Sequence, residues 1–195
     1  MRHLSLREIR TIVPNDTRLL LDAAAMEAFL RELEGAPPDW ATVYGGGHHD
    51  PGHDDRLFQL NRDRDAARAG KLPWKERLTF AWEGNLSGFE PKTGGFSVGL
   101  GPILTPTRWG LVRFKPEDLP GNLEAIPDPQ LRNTLRRRVE RGEPVPITVV
   151  VTGHLIDGEA VVYDFSHDHE GLGLLMPLVT VERLDFVLVS ERRER

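Results

Sequence analysis

Apolar, β-branched residues are densest between Pro146 and Val189, where ITVVVTGHLIDGEAVVYDF and LLMPLVTVERLDFVLV read as the core strands of a sheet. Within the first of these, Asp157-Gly158 has the form of a two-residue hairpin turn. That turn would set Ile156 opposite Glu159, His154 opposite Val161, Thr152 opposite Tyr163 and Thr148 opposite His167. In this register Ile147, Val149, Val151, Leu155, Ala160 and Val162 make the core face, and Thr148, Val150, Thr152, His154, Val161, Tyr163, Phe165 and His167 point outward. His154 and His167 then lie roughly 20 Å apart along the ladder, too far to share a metal.

The rest of the chain punctuates itself more weakly. Leu4, Leu6, Ile9, Thr11 and Val13 alternate imperfectly and predict a strand that ends at Pro14-Asn15-Asp16, with Leu19 to Leu21 as a short partner strand. Asp22 is placed to cap a helix that runs to Glu34, with Met26, Phe29, Leu30 and Leu33 on one face and Gly35 as its stop. Ala36-Pro37-Pro38-Asp39-Trp40 breaks the pattern, and Gly45 to Asp55 reads as a loop. Asp54 or Asp55 would cap a second helix reaching Ala69 and closed by Gly70, with a strand over Leu57 to Leu60 as the alternative. Leu78, Phe80 and Trp82 alternate as a strand that Gly84 interrupts, and two further strands are expected over Phe96–Leu100 and Trp109–Phe114. A proline-marked stretch, residues 115–127, is the one place where a loose domain boundary would fit. After it, Asp128 and Pro129 open a third helix with Leu131, Leu135 and Val139 as its buried stripe and Gly142 as its end.

These elements predict a single α+β domain over residues 1–195: an antiparallel sheet of six to eight strands, curled into a half-barrel or paired as a sandwich, with about three packed helices. The chain of 195 residues is long enough to bury a core, and its 39% hydrophobic and 28% charged content lies in the globular range. A net charge of -5 argues against a dedicated nucleic-acid binder, since such domains usually carry a clustered basic excess. No run of about 18 apolar residues suggests a membrane span, and the first residues form no apolar leader, so a cytoplasmic location is expected. The absence of cysteine removes disulfides, thiolate nucleophiles and Cys-ligated metals.

Candidate chemistry is confined to two polar segments. Gly45 to Asp55 packs His48, His49 and His53 with Asp50, Asp54 and Asp55, an imidazole–carboxylate set suited to zinc or another divalent metal. Pro51-Gly52 breaks the helical spacing between His49 and His53, and the competing reading is a polar surface loop or a helix-capping segment. The second segment, His167-Asp168-His169-Glu170, puts two imidazoles on one side of an extended chain and would complete the first site if the two segments met. Gly95-Phe96-Ser97-Val98-Gly99 matches a nucleophile-elbow pattern, but the Pro102 and Pro106 that follow cannot begin the helix that motif needs. The arginines of the third helix alternate with Glu140 and Glu143 and read as a solvated face. Trp40 and Trp74, beside prolines, are candidates to line a groove, whereas Trp82 and Trp109 belong to the core.

Two functions fit this inventory. One is a non-catalytic binding or assembly module that presents a sheet groove or edge to a small ligand, a protein partner or a second copy of itself. The other is a small metal-dependent hydrolase with a divalent ion such as zinc held by donors drawn from His48, His49, Asp50, His53, Asp54, His167 and His169.

Overall fold

The computed structural model describes residues 1–4, 6–46, 50–101, 103–158, 160–165 and 172–189. Its strand segments are β1 Arg2–Leu4, β2 Thr17–Leu20, β3 Arg77–Glu90, β4 Gly95–Leu100, β5 Thr105–Thr107, β6 Gly110–Val112, β7 Lys115–Pro116, β8 Glu124–Ala125, β9 Pro146–Leu155, β10 Val161–Phe165 and β11 Gly173–Val189. The helices are α1 Ala23–Glu34, α2 Trp40–Tyr44, α3 His53–Arg68 and α4 Pro129–Glu140. The fold is α+β: one large, open, mostly antiparallel sheet with three main helices, α1, α3 and α4. Seven strands span its width in the order β5-β6-β11-β9-β3-β4-β8, and the remaining segments lie beside them.

The sheet is assembled on the 17 residues of β11. Along one edge of β11 lie β10, paired at Gly173–Pro177, and then β9, paired at Val179–Leu188, both antiparallel. Along its other edge lie β6, β7 and β1, all parallel. The Leu178 carbonyl accepts from the Ile156 amide at 3.0 Å while the Leu178 amide donates to the Ala160 carbonyl. Ile156 and Ala160 therefore both bond one residue of a continuous partner, and β10 resumes the lane of β9 instead of folding back on it. Asp157-Gly158 is not a hairpin turn.

This corrects the facing of β10. With its phase set by β11, Val161, Tyr163 and Phe165 turn into the core, at 1%, 1% and 7% exposure, and Val162 is half-buried. Nor does the middle of β9 have a wet side, because Val150 and Thr152 are as buried as Val149 and Val151, while Thr148 and His154 toward its ends on that face stay partly exposed. The cover is the N-terminal segment, which forms a 3₁₀ helix over Leu6–Thr11 where a strand is expected. Ile9 within that helix and Val13 just beyond its end both pack against Val150 and Val187. Beneath this cover Thr17, Thr79 and Thr152 form a hydroxyl ladder across β2, β3 and β9, with oxygens 2.9 and 2.7 Å apart.

On the opposite face Phe80, stacked on Phe114 at 4.5 Å, sits within a core of aliphatic and aromatic residues from the sheet and helices. Helix α1 follows its sequence signals: Asp22 Oδ1 accepts the Ala25 amide at 2.8 Å, Gly35 ends the helix at φ 91°, and Met26, Phe29, Leu30 and Leu33 are buried. Helix α3 starts at Gly52 without a side-chain cap, so Asp54 and Asp55 lie inside its first turn, where carboxylates offset the helix dipole. In α4, Asp128 stands at the N-cap without a capping bond, and of the expected stripe Leu135 is buried while Leu131 and Val139 are half-buried. Gly84 does not interrupt β3. A Cβ there would stand 2.9 Å from the Gly99 carbonyl, so glycine permits the close approach of β4 and the strand continues to Glu90. The proline-marked stretch contributes β7 and β8, paired with β11 and β4.

Because the threonine ladder is buried, Thr79→Val should strand the Thr152 hydroxyl and cost about 1–3 kcal/mol in urea denaturation, while Thr79→Ser should cost less. Unchanged stability in Thr79→Val would show that the ladder is not load-sharing.

Candidate functional site, a groove at a gap in the sheet

Of the seven proposed metal donors, His48, His49, His167 and His169 lie outside the described residues. Asp50 is occupied as a loop lock. Its Oδ2 accepts from the Gly46 amide at 3.0 Å and from Arg56 Nη2 at 2.9 Å, and its Oδ1 accepts from the Gly52 amide at 2.9 Å. Those two amides and the Arg56 guanidinium hold its carboxyl down at about 2. The His53 Nε2 lies 2.8 Å from an exposed Asp54 carboxylate, and its Nδ1 is buried with no partner. Among the described residues no three His, Asp or Glu side chains converge as a metal site. The flanks of the two polar segments do meet: the His53 ring stands edge-on to Phe165 at 4.5 Å, and the Tyr44 hydroxyl donates to the Leu172 carbonyl at 2.8 Å.

Sequence reasoning missed a buried ionic cluster beside these flanks. Glu34, at the end of α1, accepts from Arg68 Nη1 at 2.7 Å and from the Tyr163 hydroxyl. Arg68 also reaches Asp65 and, at 2.9 Å, the Val161 carbonyl. Burial, reinforced by the Glu34 charge, pushes the Tyr163 phenol well above its ordinary 10.0. Asn61 adds a strand-like pair of bonds to β10, donating to the Tyr163 carbonyl at 2.9 Å and accepting its amide at 2.8 Å. Helix α3 is thus fixed along the edge of β10 by polar side chains, which explains how so polar a helix docks. A shallow recess of about 320 Å³ beside this cluster is lined by Arg68, Trp74 and Gly158. Trp40, by contrast, is core, with Nε1 donating to the Trp109 carbonyl at 2.8 Å.

A second opening arises from strand pairing. One edge of β3 is filled by β9, but its other edge is shared by β2, which ends opposite Phe80, and β4, whose last residue, Leu100, lies opposite Gly84. Between them Ala81, Trp82 and Glu83 face a gap about 10 Å long at the usual rise of a strand. The Gly101 amide donates to the Glu83 carbonyl at 2.8 Å, so the backbone groups of Glu83, and of Ala81 two residues earlier, point to this edge. The gap opens a groove of about 570 Å³. Its lining is apolar at Leu21, Trp82, Ile103 and Leu104 and polar at Glu83, Asn85, Thr105 and Thr148.

The chain matches no protein-family model, no curated protein and no solved structure. Its functional reading therefore rests on its own geometry.

Two outcomes follow from the loop lock and the cluster. Since the Asp50 carboxyl lies below its ordinary 3.8, its contribution to stability is complete above that value and fades as pH falls toward about 2. Asp50→Asn should remove this acid-side dependence and speed hydrogen exchange at the Gly46 and Gly52 amides; unchanged protection there would refute the lock. Arg68→Met should leave Glu34 buried and poorly compensated, costing about 3–5 kcal/mol, whereas Glu34→Leu combined with Arg68→Met should recover part of that loss in a urea double-mutant cycle.

Proposed function

We propose that the protein is a non-catalytic binding module whose small-molecule ligand occupies the groove at the β3 gap. The observation that carries this reading is the coincidence of an unfilled strand edge with a groove of about 570 Å³. Ligand sites commonly enclose about 300–1,000 Å³ between apolar walls with a few polar groups, and this groove has that composition. Trp82 and Ile147, both in its lining, belong to the packed core, so this part of the groove is preformed. No helix among the described residues is long and apolar enough to cross a membrane.

The test is a thermal-shift screen of small apolar molecules against the wild type and Leu104→Trp, which fills the groove from its half-exposed rim. A ligand at 100 times its Kd should stabilise the wild type by about 2.7 kcal/mol and leave Leu104→Trp unaffected. A screen in which every hit binds the variant equally well would place the ligand elsewhere.

The contact between His53 and Phe165 favours a second reading, a metal-dependent hydrolase, because His167 follows Phe165 by two positions in the chain. His53, with Asp54 beside it, would then be the described part of a divalent-metal site that draws on both polar segments. Elemental analysis of protein purified without an affinity tag should give near-stoichiometric zinc or a similar metal that His53→Ala removes; metal-free protein indifferent to chelators would end this reading.

A further inference from the structure

Glu83 stands apart from the other described glutamates. Glu27, Glu32, Glu34, Glu76, Glu117, Glu140, Glu143 and Glu182 each lie against a lysine, arginine or histidine. Glu90 accepts the Lys92 amide, Glu124 accepts the Thr93 hydroxyl, and Glu8 has an interaction of its own. The Glu83 carboxylate has no hydrogen bond or ion pair among the described residues, and it is exposed on the wall of the groove. Its surroundings are neutral: Thr148 is its cross-strand partner, Asn85 is the next side chain on the same strand face, and Gly101 lies across the gap. The same lining also includes the apolar Leu21, Ile103 and Leu104.

We propose that the ligand of this groove is a small organic ammonium, an apolar body bearing one cationic amine, with Glu83 as its counter-ion. The assignment rests on the groove being the binding site. A lone carboxylate in a neutral ring repels anions and offers too few ligands to hold a divalent metal, which wants six or more oxygens if it is calcium or near-octahedral coordination if it is magnesium. An ammonium needs only a few acceptors. Glu83 supplies charge, and the Ala81 carbonyl, aimed at the same edge, and the Asn85 side-chain carbonyl supply neutral acceptors. The aliphatic residues of the same lining, Leu21, Ile103 and Leu104, would then cover the ligand's apolar body.

The probes are 2-phenylethylammonium and its neutral counterpart 2-phenylethanol, titrated into the full chain with amide chemical shifts as readout. The ammonium should bind about ten-fold or more tightly than the alcohol at low salt, with shifts at Ala81, Glu83 and Asn85, and rising salt should weaken the ammonium alone. Glu83→Gln, an exposed site whose folding is checked by its melting temperature, should erase the preference and leave the alcohol unchanged. Equal binding of the two probes, or a preference that survives Glu83→Gln, overturns the ammonium assignment while leaving the groove as a site. Failure of both probes to shift any groove amide overturns the assignment together with the groove.

Discussion

Backbone hydrogen bonding along β11 is the constraint on which the rest of the structure depends. A strand of 17 residues exposes far more donors and acceptors than any one neighbour here can satisfy. Five segments from distant parts of the chain share the work, three on one edge and two on the other. Once β9 is fixed against β11, β3 is fixed against β9, and the helices have a single large apolar face to cover. The second face, too small and too polar for a helix of that kind, is closed by the N-terminal segment over Val150 and the threonine ladder.

The same sharing of edges produces the groove. On β11 the lane of β10 and β9 is nearly continuous, and Leu178 bonds both Ile156 and Ala160 where one gives way to the other, whereas the opposite lane is interrupted between β7 at Val179 and β1 at Val187. On β3 the corresponding lane is made by β2 and β4, which leave Ala81 to Glu83 between them. Chain direction explains the difference: β2 runs parallel to β3 and must leave the sheet to start α1, whereas β4 is antiparallel and departs toward β5. Neither can close the interval, so the interruption in the sheet is a consequence of topology and its contents are free to serve binding.

The sequence was legible where one local signal decided the outcome. Asp22 and Gly35 bound α1, and the alternation of Leu78, Phe80 and Trp82 locates β3. It was misleading where a local signal competed with a distant partner. Asp157-Gly158 has good hairpin chemistry, yet β11 supplies a better edge than β10 could, and β10 resumes the lane of β9 instead. Gly84 looks like a strand breaker until β4 arrives beside it. Short α2 carried its own mark, Asp39 accepting the Thr42 amide at 3.1 Å, hidden behind two prolines. The Glu34–Arg68–Tyr163 cluster and the groove were invisible in principle, since each joins separate segments of the chain with no spacing to reveal them.

Polar residues therefore divide into those that hold the fold and those left over. Asp50, Asn61, Glu34 and Arg68 are committed to backbone or to one another, and Glu83 and Asn85 are not. The central claim is that the uncommitted set, at the β3 gap, is where the protein binds its ligand. Mapping amide chemical-shift changes over the whole chain, on addition of a mixture of small apolar molecules that includes amines, tests it most directly. The largest changes are expected at Ala81, Glu83, Asn85, Thr105 and Thr148; changes centred instead on Trp74 and Gly158, or on Asp50 and His53, would contradict it.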